Sequence, residues 1–137
     1  WDLSKRCKSL AKFTFNRWKE SPLCLGEYFK DSDHIKEHYM DTCNFLVYDD
    51  AEVSRYLTTE GDRYPFFYCA KNLERVSILN ATYNVFLGDR VSRPIPQEAL
   101  MKLALQAPNL KWFRSNLKGN FLKKCREQRP EVTFLGQ

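Results

Sequence analysis

Glycine and histidine are scarce in this chain, with five of the first and two of the second among 137 residues. None of the glycine-rich phosphate loops (G-x-x-x-x-G-K-S/T, G-x-G-x-x-G) and no G-x-S-x-G elbow occurs, which removes the usual sequence signs of nucleotide binding and of a serine nucleophile. No apolar run nears the roughly 18 residues that a membrane-spanning helix needs. Nothing resembling a secretory leader follows Trp1, so the expectation is the C-terminal part of a longer chain. Close cysteine spacing is also missing. Cys7, Cys24, Cys43, Cys69 and Cys125 are odd in number and far apart, which argues for buried free thiols in an intracellular, reducing compartment, cytoplasm or organelle interior. Such a compartment leaves the glycosylation sequon Asn80-Ala81-Thr82 unused.

The two histidines fall together in His34-Ile35-Lys36-Glu37-His38, a match to the zinc pattern H-x-x-E-H. On a helix, His34 and His38 would share a face and reach one ion, with Glu37 as base. A third protein ligand is not singled out anywhere, and Asp31, Asp33 and Lys36 make the neighbourhood read as a solvated helix surface. A cysteine nucleophile needs a histidine base, and neither histidine has a reason to approach a thiol. The expectation is therefore a non-enzyme with no metal and no cofactor.

Charge is unevenly placed. The net charge is +5, yet residues 1–99 carry 14 Lys and Arg against 15 Asp and Glu. The excess comes from Lys102, Lys111, Arg114, Lys118, Lys123, Lys124, Arg126 and Arg129, opposed only by Glu127 and Glu131. Lys118, Lys123, Lys124 and Arg126 form the candidate basic patch. Mixed with Trp112, Phe113 and Phe121, this end offers one reading as a nucleic-acid surface. The competing reading, a polar outer face on a terminal repeat, accounts for the same charges without a ligand and disfavours nucleic acid.

What the chain does contain is an echo. Cys69 to Ala81 reads CAKNLERVSILNA, and Gln106 to Leu117 reads QAPNLKWFRSNL. With apolar residues at positions 1, 4 and 6, the first supplies Leu73, Val76 and Ile78. The second supplies Leu110, Phe113 and Ser115, and CKSLAKFTF supplies Leu10, Phe13 and Phe15. A weaker copy in TCNFLVYDD puts Thr42 in the leucine place, with Phe45 and Val47 after it. Repeats then start near 10, 42, 73 and 110, with a cap over about 118–137 that includes a short strand, Val132 to Phe134. Between them, Pro96 opens and Pro108 closes a helix whose buried face is Leu100, Leu103, Ala104 and Ala107. Asn120 to Gln128 predicts another, with Phe121, Leu122 and Cys125 inward and Pro130 as its stop. Helical connections are also expected over about 26–41 and 50–70. Strand, crossover helix and parallel strand at a thirty-odd-residue period predict an α/β right-handed βα solenoid, 1–137 as one repeat domain. An ordinary α+β domain with echoing strands is the alternative.

The phrases Cys7-Lys-Ser-Leu10, Cys69-Ala-Lys-Asn-Leu73 and Ala107-Pro-Asn-Leu110 resemble the helix-to-strand junctions of leucine-rich repeats of the ribonuclease-inhibitor type, as in F-box adaptors. FLKKCREQRPEVTFL resembles the closing helix and strand of such arrays. The asparagine ladder that the resemblance implies near position 9 is displaced: Asn80 stands at position 8, and Trp18 and Lys118 hold position 9. The resemblance implies short parallel strands, helices on the convex side, and a concave sheet that binds protein. Strand residues between the anchors then become the candidate contacts: Glu74, Arg75, Lys111, Trp112 and Arg114, with Lys12, Thr14 and Ser77 beside them. The expected function is a non-catalytic interaction or scaffold module whose partners are proteins in a larger complex. The resemblance also implies an alternative, the substrate-receptor domain of a ubiquitin ligase.

Overall fold

The computed structural model describes residues 11–14, 16–17, 21–22, 34–47, 72–85 and 91–136. Within them lie nine short strands and two helices. The strands are β1 (Lys12–Thr14), β2 (Ser21–Pro22), β3 (Glu37–Tyr39), β4 (Asn44–Val47), β5 (Arg75–Ser77), β6 (Thr82–Val85), β7 (Arg93–Pro94), β8 (Trp112–Arg114) and β9 (Thr133–Leu135). The helices are α1 (Gln97–Gln106) and α2 (Gly119–Gln128). They form two sheets. The first runs β1-β3-β5-β8-β9 with every pair parallel. The second runs β2-β4-β6-β7, parallel except for the β6–β7 pair. No helix among the described residues is long and apolar enough to cross a membrane.

In β3, β5, β8 and β9 the central residue points inward and the flanks outward, as the pleat requires. The central residues form one buried row, His38, Val76, Phe113 and Phe134, aligned in register. Two residues before β3, β5 and β8 comes a second buried anchor (Ile35, Leu73, Leu110), and one residue after each a third (Met40, Ile78, Ser115). The rings of Phe113 and Phe134 meet edge-on at 6.1 Å. Leu73, Val76 and Ile78, and likewise Leu110, Phe113 and Ser115, therefore point inward at the expected spacing.

The second unit differs from its expected register. Thr42 does not open a strand. It sits in a turn at φ 55°, and Phe45 and Val47 belong to β4 of the second sheet. The strand beside β1 is β3, with Ile35, His38 and Met40 as its inward set. The expected start at 42 thus moves to 35. The helix expected up to Asp41 gives way to strand over Glu37–Tyr39. The rest of that connection, and the one over 50–70, lies outside the described residues. The physical reason is that His38 occupies an interior position held by Val76, Phe113 and Phe134 in the strands that follow, so the apolar pattern fades there. Arg17, Thr42 and Asn80 share positive φ (63°, 55° and 58°) where the chain leaves the first sheet for the second. This conformation suits Asn and strains a β-branched residue such as Thr42.

Helix α1 begins after Pro96 and buries Ala99, Leu100, Leu103 and Ala104, with Ala107 buried just beyond. Its first residue clamps it to the end of β8: Gln97 Nε2 donates to the Asn116 carbonyl at 2.9 Å, and Gln97 Oε1 accepts the Lys118 N–H at 3.0 Å. The last carbonyls of a helix lack intrahelical partners, and the last turn of α1 has no basic residue of its own. Arg129 fills both needs from another element. Its guanidinium donates to the carbonyls of Ala104, Ala107 and Pro108. The cation lies where the helix dipole is negative. Helix α2 packs on α1 and β9 and buries Cys125. Cys43 is likewise buried, while Cys7, Cys24 and Cys69 lie outside the described residues.

Phe113 is wholly buried at the centre of the aligned row. Phe113→Ala is expected to cost about 3–5 kcal/mol, read as a shift of the urea midpoint. A loss under about 1 kcal/mol would contradict a packed interior at this row.

Candidate functional site

The outward flanks of the first sheet make two rows. The strand-opening positions are Lys12, Glu37, Arg75, Trp112 and Thr133, and the strand-closing positions are Thr14, Tyr39, Ser77, Arg114 and Leu135. Because the strands are parallel and in register, like positions stand side by side about 4.8 Å apart, close enough for long side chains to reach across.

They do reach across. Lys12 Nζ lies 4.9 Å from the centroid of the Tyr39 ring. Tyr39 Oη donates to Glu37 Oε1 at 2.8 Å. Arg75 Nε donates to Tyr39 Oη at 3.3 Å and lies 3.4 Å from Glu37 Oε1. The same guanidinium stacks on Trp112, 4.5 Å from its centroid, and Tyr39 and Trp112 are tilted neighbours at 6.4 Å. Cation–π contacts of this kind contribute roughly 0.5–1 kcal/mol at exposed sites. Trp112 is half-buried, with one face under Arg75.

The closing row is tied to the strand exits. Arg114 forms an ion pair with Asp41 two strands away and donates from Nε to Ser77 Oγ at 2.9 Å. Ser77 Oγ donates to Asp41 Oδ1 at 2.6 Å, and the Leu79 N–H donates to the same oxygen at 2.8 Å. This roof explains why Ser77, in an outward position, is fully buried. On the other side, Asn16 Oδ1 accepts the Asp41 N–H at 2.8 Å, and the Asp41 carbonyl accepts the Arg17 N–H. Further along, Asn116 Oδ1 accepts the Asn80 N–H at 2.6 Å. Polar side chains thus close the exits of four adjacent strands.

Of the expected contacts, Arg75, Trp112 and Arg114 come together on this face. Glu74 and Lys111 pair with each other at 3.0 Å just ahead of the strands. The hydrogen bond from Lys111 holds the Glu74 carboxyl below its ordinary range. The expected basic patch does not gather into one row. Lys118 precedes α2, while Lys123 and Lys124 are exposed on it, with Lys123 3.9 Å from Glu127. Arg126 turns back to donate to the Phe134 carbonyl at 3.2 Å. Asp41, Tyr39 and Glu37 are absent from the expected set. The signal for Asp41 was an Asn or Asp six residues after an anchor: Asn16 after Leu10, Asp41 after Ile35 and Asn116 after Leu110, though Leu79 holds that place after Leu73.

His34 lies in a turn and His38 in the sheet interior, so the H-x-x-E-H residues do not share a helix face. Among the described residues no group of three His, Cys, Asp or Glu is placed to hold a metal ion. A cavity of about 440 Å³ opens where β5 and β6 meet the start of α1, lined by Ile78, Asn80, Thr82, Ile95, Gln97 and Asn116 among others. Neither a family model, nor a curated protein, nor a solved structure matches the chain.

Burial pushes the His38 imidazole down to about 4. Unfolded, the same group takes up a proton near pH 6.5. Stability is therefore complete above that pH and falls as pH drops from about 6.5 to 4, because the unfolded state binds the proton first. His38→Leu is expected to lose this segment of the pH dependence. Urea midpoints at pH 7 and pH 5 should lie closer together in the variant than in the parent; an equal gap in the two proteins would contradict a buried neutral imidazole.

Proposed function

We propose that this chain is a non-catalytic protein-interaction module, a scaffold part of a larger assembly, built from stacked leucine-rich-repeat-like βα units. The repeat reading is supported by five parallel strands in chain order, three of which (β3, β5 and β8) share one inward pattern of anchors. The recurring exit turns at Arg17, Thr42 and Asn80 support it further.

The observation that carries the functional reading is the cross-linked outward face. Lys12, Glu37, Tyr39, Arg75 and Trp112 are held to one another across four strands, and Arg114 is held to Asp41 and Ser77 beside them, before any partner arrives. A surface whose rotamers are already fixed spends less entropy on binding. Aromatic and arginine side chains of this kind dominate the energetics of protein interfaces.

Trp112→Ala is expected to abolish the co-purification of the natural partner with the tagged full-length protein, while circular dichroism stays that of the parent. Loss of a central interface Trp commonly costs about 2 kcal/mol or more, some thirtyfold in affinity. An unchanged set of co-purifying proteins in a folded Trp112→Ala variant would sink the assignment of this face.

A further inference from the structure

The face sorts its charges by depth. In each cross-strand ion pair the cation is more exposed than the carboxylate: 45% against 31% for Arg75 and Glu37, 70% against 30% for Lys111 and Glu74, 40% against 14% for Arg114 and Asp41. Lys12, also exposed, lies over the Tyr39 ring. The carboxylates act as inner clamps and the cations as the outer layer. A partner approaching the sheet meets Lys12, Arg75, Lys111 and Arg114 first, grouped around the rings of Tyr39 and Trp112.

From this we infer that the face takes an acidic, extended segment of a partner protein, a specification that rests on reading the face as an interaction surface. Among the described residues Arg75 uses Nε alone on Tyr39 and Glu37, which leaves its Nη donors for an incoming carboxylate. Charge-assisted bonds of this geometry are among the stronger ones available to a protein. Apolar or aromatic residues of the same segment would lie against the half-buried Trp112 and Tyr39.

A nucleic acid fits this face less well. Its affinity comes from cations that neutralise phosphates and release counterions. Here Glu37, Glu74 and Asp41 sit under three of the four cations and would offset much of that attraction. A carboxylate that bonds one guanidinium at a time is less penalised than a polyanion running over the whole face.

The test uses the 137-residue chain and a fluorescein-labelled twelve-residue peptide of alternating Glu and Tyr, followed by anisotropy. Two variants change charge equally: Lys12→Glu with Lys111→Glu on the face, and Lys123→Glu with Lys124→Glu on α2. All four side chains are exposed, so both variants are expected to fold. The face variant should weaken peptide binding by about tenfold or more, and the helix variant by less than about twofold. Equal losses in the two variants would overturn the proposal, as would no binding by the parent. So would tighter binding of a twelve-nucleotide oligothymidylate than of the peptide. If the peptide fails while Trp112→Ala still loses the natural partner, the interaction surface stands and only its acidic specificity falls.

Discussion

Asp41 is the point on which the order of the outward face depends. Through its carboxylate it accepts from Ser77 Oγ, from the Leu79 N–H and from Arg114. Through its own backbone it joins Asn16 and Arg17 at the exit of β1. One residue, through its carboxylate and its backbone, therefore touches the exits of β1, β5 and β8 from its own place after β3. It is only 14% exposed, so its charge is largely removed from water. That desolvation is offset only where the remaining lone pairs are used, and here three donors use them.

The consequence runs outward. With Ser77 roofed over and Arg114 pinned, the two outward rows are set relative to each other. The Lys12–Tyr39 and Arg75–Trp112 contacts then complete the face. The inward rows of Phe113, Val76 and Phe134 supply the packing that keeps strands only three residues long in register. Such short strands make few ladder hydrogen bonds, so the side-chain links between their exits matter more than in a long sheet. A face assembled this way presents aromatic and cationic groups with little rotamer freedom left to lose.

Much of the strand framework was legible before any coordinates. The spacing of Leu73, Val76 and Ile78, and its return at Leu110, Phe113 and Ser115, follows from the pleat and survives in the structure. Helix α1 was legible because prolines bound it on both sides. The second unit was not, because His38 stands where an apolar residue was sought, and the five-residue histidine pattern suggested a helix. The polar exits were also overlooked. A ladder was sought near position 9, whereas Asn16, Asp41 and Asn116 recur two places earlier. Arg129 was counted among surface charges, yet it closes the end of α1 from 22 residues away. No local pattern announces that kind of contact.

A double-mutant cycle on Asp41 and Arg114 bears most directly on this account. Asp41→Ala, Arg114→Ala and the double variant are compared by urea denaturation at pH 7. If one partly buried pair holds the exits of β3 and β8 together, the two losses should fall short of additivity by about 1 kcal/mol or more. Losses that add within about 0.5 kcal/mol would show two independent surface residues, and the face would not be organised as described.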